Sequence, residues 1–165
     1  MPQFSTSEMH VISAAEGWLG LGDPASAAQE LEALPAVLQG HATIMRLRWE
    51  IFSALRKWEA ALEIATRLAK ANPDDRHAWV SRSFALHELK RTEEARQNLL
   101  SVLPRFPKDA LMRYNLACYE CQLGNRDAAC ERLREAFALP DGEEFRATAM
   151  ADTDLVTLRP LIKQL

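Results

Sequence analysis

Cys118 and Cys121, separated by two residues in the stretch ACYECQLGN, could do chemistry in three ways. A C-x2-C pair can be half of a zinc site, a redox dithiol, or two small apolar residues on a helix. The context favours the third. Their three-residue spacing places both on neighbouring parts of one helical face. A thioredoxin-like dithiol draws its lowered thiol pKa from a helix N-terminus that follows a strand, and neither is expected here. Structural zinc takes four ligands, whereas the candidates number three, Cys118, Cys121 and His87, with Cys130 on a different helix. No metal and no cofactor are therefore expected.

Other chemical signals are weaker. Gly17, Gly20 and Gly22 in GWLGLGD are in the wrong order for a phosphate loop and follow no strand, so they are assigned to a helix end and turn. There is no Ser/His/Asp set, no HExxH and no distinguished carboxylate pair, which argues against an enzyme and leaves no catalytic residue to name. Arg48 and Arg82 are 34 residues apart and could together receive a carboxylate or phosphate. The alternative, which is favoured, is that they bond to Glu16, Glu50 or neighbouring helix ends, because a charge forced near a core usually finds a protein partner.

The 165-residue chain is 48% hydrophobic and 26% charged, with a formal net charge of -3. This is the composition of one folded domain, without the basic excess that tracks a phosphate backbone. Nucleic acid is not an expected partner. The first 23 residues lack a basic n-region, and no uninterrupted apolar run reaches the roughly 20 residues that cross a bilayer, so no membrane association is expected. Three cysteines, an odd number, fit a reducing compartment, and the expected location is cytoplasmic.

The elements that position these residues emerge from a fixed period. Ala27, Ala61, Ala95 and Ala129 are 34 residues apart each time, as are Leu21, Leu55, Leu89 and Leu123. After each alanine, apolar residues recur four and seven positions on, as on one face of a helix: Leu31 and Leu34, Ala65 and Leu68, Leu99 and Val102, Leu133 and Ala136. Upstream lies a second helical pattern, such as Trp79, Ser83, Leu86 and Leu89, so each unit is two helices. Asp23 before Pro24, and Asp109, read as N-caps. NPDD at 72–75 and FPKD at 106–109 read as joints between units.

In these features the chain resembles the tetratricopeptide repeat family, whose unit of about 34 residues carries a W-x2-L-G-x2-Y, A-x3-F, P pattern. The third unit matches best, through Trp79, Ser83, Leu86, Ala95, Leu99 and Pro107. The resemblance implies an all-α fold, a right-handed superhelical solenoid of about four helix-turn-helix repeats (8–41, 42–75, 76–109 and 110–141). An N-terminal tail (1–7) would precede them and a C-terminal helical cap (142–165) would follow. Departures from the pattern are Arg48 and Arg82 in place of leucine, Trp49 in place of a small residue, and Pro35 inside the second helix of the first unit.

By the same resemblance, the first helices line a concave surface that binds peptides or protein segments. The residues expected there are Ile12 and Glu16; Arg46 and Glu50; His77, Val80 and Phe84; and Tyr114, Asn115 and Cys118, with Ser53, His87 and Cys121 one turn further on. With Glu16 and Glu50 on that face and Asn115 its one asparagine, the carboxylate clamp found in some family members is incomplete. The expected function is a non-catalytic protein–protein interaction module for an unidentified protein or peptide, with the chain a monomer or weak homodimer. The alternatives are a self-associating structural unit or a small chaperone-like protein.

Overall fold

The computed structural model describes residues 4–164, which contain ten α-helices joined by turns and short 3-10 segments and no strand. The described residues fall into two compact units, divided between Ser81 and Arg82 within one helix.

The first unit holds α1 (Thr6–Gly20), α2 (Pro24–Glu32), α3 (Ala42–Ala54), α4 (Trp58–Ala71) and the start of α5 (Arg76–Glu88). Helix α1 begins inside the stretch expected to be a tail because Ser5 and Glu8 close a capping box. The Ser5 hydroxyl accepts from the Glu8 N–H at 3.3 Å, and the Glu8 carboxylate accepts from the Ser5 N–H at 2.7 Å. Asp23 caps α2 by accepting from the Ser26 N–H at 3.0 Å, with Pro24 at the first helical position.

The 34-residue leucine column has a structural meaning. Leu21, Leu55, Leu89 and Leu123 are the last, half-helical residues of α1, α3, α5 and, in the second unit, α7 (Ala110–Gln122). The residue after each leucine is Gly22, Arg56, Lys90 or Gly124, and all four have positive φ. Two backbone bonds recur with them, as in Asp23 N–H to Trp18 O and Gly22 N–H to Leu19 O. This is the Schellman arrangement, which satisfies the last carbonyls of a helix and turns the chain into the next one.

Ala27 and Ala61 are fully buried. Ala27 packs with Leu31, Ile44, Leu47 and Ile51 in the layer between the helices. Each such leucine or isoleucine contributes roughly 1.5–3 kcal/mol on leaving water, and the alanine lets the helix axes approach. Pro35 does not lie within the second helix, as the sequence suggested. Helix α2 stops after nine residues, with Ala33 as its cap, and Pro35 opens the 3-10 turn Ala36–Leu38. A proline disfavours helix for the residue before it, and the Gln39 side chain closes the shortened end by donating to the Leu31 and Leu34 carbonyls. Trp49 is only partly buried and packs with Met45, Ile64 and Leu68, its ring edge-on to His77.

The second unit holds the rest of α5, α6 (Thr92–Val102), α7, α8 (Arg126–Phe137), α9 (Gly142–Ala151) and the short α10 (Arg159–Ile162). Ala95, Leu99, Leu116, Ala129 and Leu133 are all fully buried. Asp109 caps α7 through the Met112 N–H at 2.8 Å. Glu120, only 2% exposed, accepts from Arg96 Nε and from the Asn125 amide, both at 2.7 Å. Helix α9 packs on α7 and α8. It can enter where it does because Gly142 lies against α8: a Cβ there would sit 2.3 Å from the Phe137 carbonyl oxygen. Leu155, Leu158 and Ile162, beyond α9, are buried as well.

Candidate interaction face

In the first unit, the residues expected on the first-helix face divide into two groups. Ile12 is buried among Ala27, Leu31 and Ile44 and serves the core. Glu16, Glu50 and His77 are exposed, and Val80 is partly buried. Arg46 is exposed yet engaged: its guanidinium donates to Asp75 at 2.7 Å, while Asp75 caps α5 by accepting from the His77 and Ala78 N–H groups. Partial burial raises the pKa of Asp75, but the Arg46 hydrogen bond and charge and the two backbone donors outweigh it, and the net shift is downward.

Arg48 donates to Glu32 at 3.2 Å and to the Gln39 side-chain oxygen at 2.5 Å, and Arg82 donates to the Asn98 side-chain oxygen. Both arginines have partners within the chain, and those of Arg48 lie at the end of α2 and just beyond it.

In the second unit, Phe84 is 37% exposed and Asn115 partly buried, but Tyr114 and Cys118 lie beneath the chain itself. The face expected to be open is covered by α9 and the segment after it. Phe145 stacks on Tyr114 with ring centroids 5.1 Å apart. Asp152 accepts from the Tyr114 hydroxyl at 2.6 Å and, at 3.7 Å, from the Cys118 thiol. Asp154 lies 3.0 Å from His87 Nε2, and the other ring nitrogen of His87 lies 3.1 Å from the Thr92 hydroxyl. Cys121 Sγ is 3.2 Å from the Thr157 hydroxyl. The Gln122 amide and Arg126 donate to the backbone carbonyls of Asp154 and Thr157.

The electrostatics follow from this cover. Burial pushes the Cys118 thiol well above its ordinary pKa, and the Asp152 and Asp154 carboxylates push it further, so it stays protonated. Burial, then the hydrogen bond to Asp152, raises the Tyr114 hydroxyl in the same way. Cys118, Cys121 and His87 each face the 152–157 segment. The donor atoms that converge among the described residues are those of Cys118, Asp152 and Asp154, within 4.8 Å of one another. All three are hydrogen-bonded inside the chain: Asp152 holds Tyr114 and Cys118, and Asp154 holds His87.

Sequence reasoning missed Phe145, Asp152, Asp154 and Thr157 as members of this face. The signal available was the acidic run ADTD at 151–154, which lies outside the 34-residue period.

Paired helices closed by recurring Schellman turns around an alanine column define a helical repeat fold of the tetratricopeptide type. Solved structures of MamA, a protein of that type, match it. "MamA RS-1 ArsTM double mutant" matches at 13% identity and TM-score 0.69, over 86% of this chain and 76% of that one. "MamA AMB-1 P212121" matches at 18% and 0.66, over 90% and 76%. A further MamA structure, of a mutant, matches at 18% and 0.63, over 76% and 73%. At such identities the likeness establishes the fold. No family model and no curated protein sequence matches the chain. Among the described residues, no helix is long and apolar enough to cross a membrane.

Proposed function

We propose that this chain is a non-catalytic protein-interaction module that holds peptides or segments of other proteins against the first helices of its repeats. The observation that carries the reading is in the second unit. There the side chains of α5 and α7, with Arg126 at the start of α8, hold the turn at 152–155 and the 3-10 segment that follows it through both carboxylates and backbone carbonyls. Backbone carbonyls are common to every sequence, so such contacts suit segment binding, while side-chain contacts set register. In the first unit the same face presents Glu16, Glu50 and His77 to solvent, available to a partner in the cytoplasm. A small-molecule reaction finds no support in these groups.

The test is capture of proteins from a lysate of the source cells on wild-type protein and on a Glu16→Arg, Glu50→Arg variant with unchanged circular dichroism. Proteins held by the wild type and lost with the charge reversal support the reading. Equal recovery on both forms overturns it for the first-unit face.

A further inference from the structure

The cover on the second unit has the composition of a ligand. Its apolar residues Leu155, Leu158 and Ile162 are buried and serve as a cap, but its polar ties add no apolar burial. Asp152 and Asp154, on alternate residues, each meet a separate donor on the repeat helices: Tyr114 at 2.6 Å and His87 at 3.0 Å. Two carbonyls of the same segment, those of Asp154 and Thr157, are read by Gln122 and Arg126. His87 is held in orientation by Thr92 from its other nitrogen, so the donor is positioned by the repeat and not by the segment. Both carboxylates belong to the segment and their side-chain donors to the repeat helices, while the Asp154 N–H donates to the other Asp152 oxygen at 2.9 Å and fixes the turn between them.

We infer that this face is a recognition site for an Asp-x-Asp segment followed by an aliphatic residue, occupied in the resting chain by the chain's own Asp152-Thr153-Asp154-Leu155. A partner segment of the same chemistry competes for Tyr114 and His87 and displaces the internal one. The inference rests on the segment-binding reading above and names its ligand class for the second unit. The aliphatic residue is required because displacing residues 152–157 exposes Leu155, which is fully buried in the resting chain, and a competitor that did not replace this burial would bind more weakly than the internal segment. The carboxylates supply register: a charge-assisted hydrogen bond is about twice as strong as a neutral one, and the two acids meet different repeat side chains, Asp152 the Tyr114 hydroxyl and Asp154 the His87 ring. The arrangement also sets the affinity of an outside segment, since intrinsic affinity is reduced by the fraction of molecules in which the face is open.

The probe is a fluorescent peptide spanning residues 145–159, measured by anisotropy against three full-length proteins: wild type, Asp152→Asn with Asp154→Asn, and that pair combined with Tyr114→Phe. Weakening the internal carboxylates is expected to raise peptide affinity at least tenfold over wild type. Adding Tyr114→Phe is expected to lower it again, and a peptide with both aspartates replaced by asparagine is expected to bind none of the three. Cys118 alkylation, in a Cys121→Ser, Cys130→Ala background, should accelerate in the double variant and slow again on peptide addition. Equal peptide affinity for wild type and double variant, or equal binding of the asparagine peptide, overturns the inference. Circular dichroism of each variant confirms that a negative result comes from folded protein. This outcome is independent of the capture experiment, which depends on Glu16 and Glu50 in the other unit, so either reading can fail alone.

Discussion

The Tyr114 hydroxyl donates a 2.6 Å hydrogen bond to Asp152, 38 residues further along the chain, with the Phe145 ring stacked on the same tyrosine. One residue of the fourth repeat's first helix is thus gripped by both α9 and the segment after it. A hydrogen bond to a charged group contributes about 1.5–3 kcal/mol. Tyr114→Phe keeps the stack and removes the bond. It should raise backbone amide exchange in residues 150–158 by roughly tenfold or more, while exchange in α3 and α4 stays unchanged. Uniform acceleration across the chain would show that the bond supports the whole molecule and not this segment.

The two cysteines of the C-x2-C pair should differ in reactivity. Cys118 is buried, with its thiol held protonated by burial and by the flanking carboxylates, whereas Cys121 is partly exposed. The thiolate is the nucleophile, so at about pH 8 iodoacetamide should modify Cys121 roughly tenfold or more faster than Cys118 in native protein, and the rates should converge in denaturant. Mass spectrometry of the alkylated tryptic peptides reads both. Equal native rates would mean that the 152–157 segment does not shield the α7 face.

The 34-residue columns made the paired helices legible because a period enforced by packing repeats the same residue at the same burial, as Ala27, Ala61, Ala95 and Ala129 do. The leucine column was legible as a column but not as a turn, since the positive φ falls on the next residue, which is arginine or lysine in two units out of four. Pro35 misled the reading of α2 because periodicity continues through Leu34 and Leu38 while the helix does not. The covered state of Tyr114 and Cys118 was not legible at all. Their partners, Phe145, Asp152 and Asp154, lie outside the repeat, and one period-based column cannot report what a later, aperiodic segment packs against.

Lys90 has φ of 62° in the turn between α5 and α6, a conformation glycine adopts freely and other residues adopt at a cost of about 1 kcal/mol. The equivalent positions Gly22 and Gly124 already carry glycine, and nothing lies within 4 Å of a Cβ built on either. Lys90→Gly should therefore stabilise the protein by about 0.5–1 kcal/mol, and Gly124→Ala should destabilise it by about 1 kcal/mol on conformational grounds alone. Urea unfolding midpoints measure both. If Lys90→Gly lowered the midpoint, the lysine side chain would have to contribute more than the backbone strain it imposes.

The Arg46–Asp75 pair gives the first unit a defined acid dependence. Asp75 has a lowered folded-state pKa: burial opposes the shift, and the Arg46 guanidinium with the His77 and Ala78 N–H groups outweighs it. A carboxylate whose pKa is lower folded than unfolded binds fewer protons in the native state. Its stabilisation is therefore complete above the unfolded value of about 3.9 and is lost as pH falls through the lower folded value. Asp75→Asn isolates this contribution, because asparagine can still cap α5 while lacking the charge that Arg46 needs. At pH 7 the variant should be less stable by about 0.5–1 kcal/mol, the upper part of the range for ion pairs at the surface, since Arg46 is exposed while Asp75 is mostly covered. The difference should hold down to about pH 5, begin to shrink as pH falls below the unfolded value of about 3.9, and vanish only below the lower folded value, where wild-type Asp75 is itself protonated. Unfolding midpoints of both proteins at about pH 7, 5, 4 and 3 decide the matter, and a difference that stayed constant throughout would assign the effect of the substitution to the cap and not to the ion pair.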